Sequence, residues 1–160
     1  LALSLSAANG MRNKQMNAWW MLFLAAVVLS PLAWLSPSRK QSAAMQARMQ
    51  ARRMGLSMQL SRQDWPHWLE RSAPTSCAQY CRPRSQGRTE SWCYWQAQPG
   101  QWLNQWREPC AEAAMLEQLQ SLPADAYKVE AGRHMLAVYW GERGGEEALQ
   151  RINAFLLKWA

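Results

Sequence analysis

The residues best suited to chemistry are four cysteines, Cys77, Cys81, Cys93 and Cys110, separated by three, eleven and sixteen residues. Thiolates hold zinc, form disulfides or attack electrophiles, and spacing bears on which. Structural zinc sites favour paired short C-x2-C knuckles, and only Cys77 and Cys81 are close here, with three residues between them. On one strand those two would stand about 13 Å apart on the same face. Any disulfides would therefore join them to Cys93 and Cys110. Reduced packing cysteines are the third reading, and all three stay open. No histidine lies near a cysteine in sequence, so a thiol nucleophile lacks a local base. No Ser-His-Asp, Cys-His, paired-carboxylate or nucleotide motif can be assembled from the spacing. The chain is expected to be no enzyme, with no cofactor and no small-molecule ligand.

Six tryptophans lie from Trp65 to Trp106. Exposed aromatic platforms bind sugars or single-stranded nucleic acid, and Arg82, Arg84 and Arg88 lie nearby. The alternative is a core, or a contact with a bilayer or a partner protein. The run GERGG at 141–145 precedes a helix, but Glu142, Glu146 and Glu147 would repel an anion there, so it reads as a turn.

Charge decides between partners. Residues 1–61 hold seven basic residues and no acid, whereas residues 62–160 hold eleven of each. The net charge of +7 therefore belongs to the N-terminal third. A nucleic-acid interface is not expected; a membrane surface is.

That surplus flanks residues 18–35, AWWMLFLAAVVLSPLAWL, an uncharged run of eighteen residues. About 20 apolar residues cross a bilayer's hydrocarbon core. Residues 18–36 are expected to form a transmembrane helix, with Trp19, Trp20 and Trp34 at the two interfaces. Residues 1–17 read as a disordered tail, with Met11 and Met16 as alternative starts. The basic residues Arg39, Lys40, Arg48, Arg52 and Arg53 follow the run, and the more basic flank stays in the cytoplasm. The expected topology is single-pass in a bacterial inner membrane, with the C-terminal domain cytoplasmic.

Residues 37–61 read as a basic juxtamembrane helix. Met45, Met49, Leu56 and Leu60 fall within about 60° on a helical wheel, and the five basic side chains are the candidate membrane-surface contacts. Packing on the domain is the other reading of this helix. The span at 18–35 and the exit LSPSRKQ at 35–41 resemble YajC, the accessory subunit of the bacterial preprotein translocase. The resemblance covers residues 17–60. It implies a non-catalytic accessory or scaffold role beside another membrane protein.

Residues 62–160 form the expected small domain. YCRPR at 80–84 and TESWCYWQAQ at 89–98 read as a β-hairpin, and 101–108 as a third strand or a helical turn. Residues 111–122 read as a helix ended by Pro123, and YKVEAG and HMLAVYWG as two strands about Gly132. On a final helix Ala148, Leu149, Ile152, Phe155, Leu156 and Trp159 fall within about 120°. The order ββαββα predicts an α+β fold with two helices on one face of an antiparallel sheet. Residues 135–156 also resemble the closing strand and helix of SPOR domains, which bind peptidoglycan. That resemblance implies the alternative: a periplasmic, disulfide-stapled domain binding cell-wall glycan through its tryptophans.

Overall fold

The computed structural model describes residues 19–27 and 39–160, which belong to two units divided between Ser38 and Arg39. Residues 19–27 are helical (α1), and all of their side chains are exposed, Trp19 and Trp20 included. Among the described residues no helix is long and apolar enough to cross a membrane. The rest of the expected span, with Trp34, and the tail at 1–17 lie outside the described residues.

The second unit is α+β. Its elements are α2 (Arg39–Arg53), β1 (Ser57–Arg62), β2 (Ser76–Pro83), β3 (Trp92–Gln98), β4 (Gln101–Leu103), α3 (Ala113–Gln120), β5 (Ala126–Ala131), β6 (Met135–Trp140) and α4 (Gly145–Trp159). The expected order ββαββα does not describe the whole unit: α2, β1 and β2 precede it, and only the last six elements, β3 to α4, follow that order. The six strands form one antiparallel sheet in the order β1-β2-β6-β5-β3-β4.

The expected hairpin of 80–84 with 89–98 does not form. β6 and β5 lie between β2 and β3. The Ser-Gln-Gly signal does mark a turn, but β2 before it pairs with β1 and β6, and β3 after it pairs with β4 and β5. The hairpins that do form are β3/β4 about Pro99-Gly100 and β5/β6 about Gly132. Residues 101–103 resolve as a strand.

The basic helix also ends earlier than its composition suggests. Gly55 at φ 77° closes α2. The Leu56 N–H donates to Ala51 O at 2.9 Å and the Gly55 N–H to Arg52 O at 3.1 Å. These two bonds are a Schellman cap, which needs the left-handed conformation that glycine adopts without strain. Leu56 then turns into the core and the chain runs on as β1.

The periodicity of α2 selects the opposite face from the one its longest side chains suggest. Ala47 and Ala51 are buried against the domain, whereas Met45 and Met49 are exposed. Small side chains let α2 approach α4 and β1 closely. Of the predicted stripe only Leu56 is buried; Leu60 on β1 is 61% exposed.

The principal core lies between sheet and helices. Tyr80, Val129, Leu136, Val138 and Trp140 from the strands meet Leu149, Ile152, Phe155 and Leu156 of α4, as the helical period predicts. Met115 and Leu119 of α3 close the β4 end. A smaller cluster forms on the other sheet face. There Cys77, Cys81, Tyr127, Ala137 and Tyr139 pack under Trp65 and Ala73 of the β1–β2 connection.

Candidate functional site

The four thiols are free. Cys81 aligns with Ala137, Ala137 with Glu130, and Glu130 with Cys93. Three strand spacings, about 14 Å, thus separate Cys81 from Cys93, beyond the ~7 Å Cα reach of a disulfide. Cys110 belongs to the core on the helix side, whereas Cys77 and Cys81 belong to the other cluster. The disulfide staple of the alternative reading is therefore absent, and the reduced reading fits this structure. Among the described residues no group of three or more His, Cys, Asp or Glu could hold a metal ion, so the four cysteines are not a zinc site either. Burial pushes Cys77 up to about 12 and Cys81 up to about 11. Burial also pushes Cys93 up to about 12, against the opposing effect of Lys128. These are packing thiols held in the protonated form.

Of the candidate membrane-contact residues, Arg39, Arg52 and Arg53 are exposed, and the side chain of Lys40 lies outside the described set. Arg48 behaves differently. Its Nε donates to Glu142 Oε1 and its Nη2 to Glu142 Oε2, both at 2.7 Å. The Tyr80 hydroxyl donates to the same Oε1 at 2.8 Å. The hydrogen bond to Glu142 raises the Arg48 pKa above its ordinary value, against partial burial. Arg48 thus serves as an internal clamp between α2 and the turn before α4.

That turn is held from below as well. The Asp125 carboxylate accepts the Trp140 indole N–H at 2.8 Å and the Arg143 N–H at 2.7 Å. Two carboxylates occupy the neighbourhood of GERGG, as expected for a turn and not for an anion site.

The tryptophans divide by role. Trp102 and Trp140 are fully buried. Trp65 meets Tyr127 at a tilt of 52° with 5.8 Å between centroids, and Trp68 meets Trp95 edge-on at 6.1 Å. Trp106 is different: it is 72% exposed, although its loop is tightly built.

That loop runs from Asn104 to Glu108. The Asn104 Oδ1 accepts the Trp106 N–H at 2.8 Å and the Glu108 N–H at 3.0 Å. The main chain adds Asn104 N–H to Glu108 O at 2.9 Å and Arg107 N–H to Asn104 O at 3.0 Å. Arg107 sits at φ 65°, a conformation that costs a non-glycine residue roughly 1–2 kcal/mol. The loop is therefore over-determined: these hydrogen bonds hold the strained backbone of Arg107 in place and leave Trp106 and Arg107 exposed.

Three cavities open around this pair. One of about 430 Å³ is lined by Trp92, Tyr94, Asn104, Trp106 and Glu130. A second of about 800 Å³ lies on the helix side, against Trp102, Leu103, Arg107, Pro109 and Leu116. A third of about 410 Å³ lies between Trp68, Arg71, Leu103 and Arg107. Glu130 in the first is already engaged: the Lys128 ammonium lies 2.7 Å away and the Tyr139 hydroxyl donates to it at 3.0 Å. Burial alone would raise its pKa; Lys128 and the Tyr139 hydroxyl together outweigh that and hold it below its ordinary value. The arrangement favours recognition. Aromatic rings and an arginine on a rigid loop, beside apolar grooves, make the anchors on which protein interfaces concentrate their binding energy.

The sequence carried one local sign of this loop. Asn104 is a turn-former between the strand-like QWL and Pro109. Nothing in the local sequence separates exposed Trp106 from buried Trp102, because that difference depends on α3 covering one and not the other. Comparison with known proteins finds no match: no family model, no curated protein and no solved structure resembles the chain.

Proposed function

We propose that this chain is a single-pass inner-membrane protein, anchored through residues 18–36, whose folded domain lies in the cytoplasm and acts by binding. Its role is that of an accessory or scaffold at a membrane complex, and the YajC-like span and exit make protein translocation the most concrete version. The carrying observation is the segregation of charge: seven basic residues and no acid in residues 1–61, beside an uncharged apolar run. Buried, unpaired thiols suit a reducing compartment and support the same orientation. Trp106 and Arg107 supply the partner contact. Met45, Met49, Arg52 and Arg53 on the outer side of α2 supply a surface suited to anionic lipid.

Reporters active only in the cytoplasm or only in the periplasm, fused to the C-terminus, test the topology. The expected result is a cytoplasmic signal and four free thiols after denaturation. A periplasmic signal with no free thiols would overturn the reading. The contact site is tested by photo-crosslinking from position 106 in intact cells. A discrete adduct that disappears in Trp106→Ala, probed from position 105, is expected; an unchanged adduct removes Trp106 from the interface.

A further inference from the structure

The two edges of the sheet are finished differently. β4 is only three residues long, is flanked by Pro99 and Pro109, and pairs with β3 through an irregular register. Short length, proline and irregularity are the usual defences of an edge strand. β1 at the opposite edge has none of them. It pairs with β2 in unbroken register over six residues, and among the described residues no strand covers its outer side.

Its sequence is also symmetric. Residues 57–61 read Ser-Met-Gln-Leu-Ser, a palindrome in chemical type about Gln59 with no charge. Met58 and Leu60 share one sheet face; Ser57, Gln59 and Ser61 share the other. The apolar pair is on the helix side, where Met58 packs against the core and Leu60 stays 61% exposed. On the other side the Gln59 amide donates to Gln79 Oε1 at 2.8 Å.

We propose that β1 is an interface between two copies of this chain. The strands run antiparallel about a two-fold axis through Gln59, perpendicular to the sheet, and the two sheets become one. In this register Gln59 faces Gln59 of the second copy, Met58 faces its Leu60, and Ser57 faces its Ser61. Every side chain meets its own chemical class on its own face, as an isologous contact requires. Leu60 loses its exposure against Met58 of the other copy. The amides of Gln59 and Gln79 extend into a ladder across the axis. No like charges are opposed within the paired residues, and Arg62 falls beyond them. A heterologous partner strand would have no need of the symmetry.

The register makes the test sharp. The full chain in detergent carries Gln59→Cys, Ser57→Cys or Ser61→Cys, with the wild type as a control for its own thiols. Residues facing each other across antiparallel strands lie ~4.5–5.5 Å apart at Cα, within disulfide reach. Under mild oxidation Q59C should form a covalent dimer. S57C or S61C alone should not, because each would face a serine, but a mixture of the two should. Light scattering on the wild type should report a dimer. Leu60→Lys should lower the dimer fraction at least tenfold with an unchanged far-ultraviolet spectrum. A monomeric wild type, a dimer indifferent to L60K, or S57C linking to itself as readily as Q59C would each overturn the proposal.

Discussion

Glu142 is the most heavily used carboxylate of the domain. It stands at φ 58° and accepts both nitrogens of the Arg48 fork and the Tyr80 hydroxyl. Its side chain is 10% exposed and that of Arg48 34%, so solvent screens one end of the pair. Breaking a fully buried pair costs ~3–5 kcal/mol; with this screening, Glu142→Gln should cost about 1–2 kcal/mol in chemical denaturation. A change below a few tenths of a kcal/mol would show that the clamp contributes little. The thiols make a second prediction. Cys77, Cys81 and Cys93 are raised by burial from the ordinary 9.0 to about 12, 11 and 12. Above pH 9 the unfolded chain loses these protons first, so the native state binds more protons and stability falls as pH rises. Their contribution is complete below pH 9 and is lost through pH 11–12. Urea titrations from pH 8 to 11 should show the decline, and Cys77→Ala should reduce its slope by up to about 1.4 kcal/mol per pH unit. Neither role was visible locally. Arg48 and Glu142 are 94 residues apart, and the partner of an arginine cannot be read from the arginine's own helix.

Helices proved more legible than strand pairings. α3 and α4 announce themselves through period and punctuation, and α4 buries five of the six residues that its wheel selects, with Trp159 half-buried. β5 and β6 are adjacent in sequence and in the sheet, so a local signal sufficed. β2 fails that condition: its neighbour β6 arrives more than fifty residues later. The same limit explains α2. Composition favours a helix through Leu60, but Gly55 provides the cap and the edge of β2 offers Ser57–Arg62 a ladder that a helix cannot supply. Gly55→Ala should therefore act on the cap alone, since a Cβ there meets nothing within 4 Å. Forcing alanine to φ 77° should cost about 1 kcal/mol and lower the melting temperature by about 4 °C. An unchanged melting temperature would mean that the helix end rearranges freely.

For the molecule as a whole, charge distribution carries the functional argument. In the proposed topology orientation depends on the basic residues after the span, and Arg48 is partly withdrawn from that set by Glu142. Replacing Arg39, Lys40, Arg52 and Arg53 by Gln should leave the fold intact and shift a measurable share of C-terminal reporter signal to the periplasm. Unchanged orientation would assign it to another determinant. The candidate site at Trp106 belongs to the opposite end of the sheet from β1. Its exposure results from the assembled domain, which is why six tryptophans in one stretch did not distinguish it.

The Arg48–Glu142 pair has a mechanical consequence. Tension entering at Arg39 first meets α2, which is fastened by this pair to the segment leading into α4. Part of the load then passes from the first helix of the domain to the last, besides the part that runs along the chain into β1. Two charge-assisted bonds at 2.7 Å therefore act as a strain relief: a pull from the N-terminal side works against the clamp before it can peel β1 from the edge of the sheet.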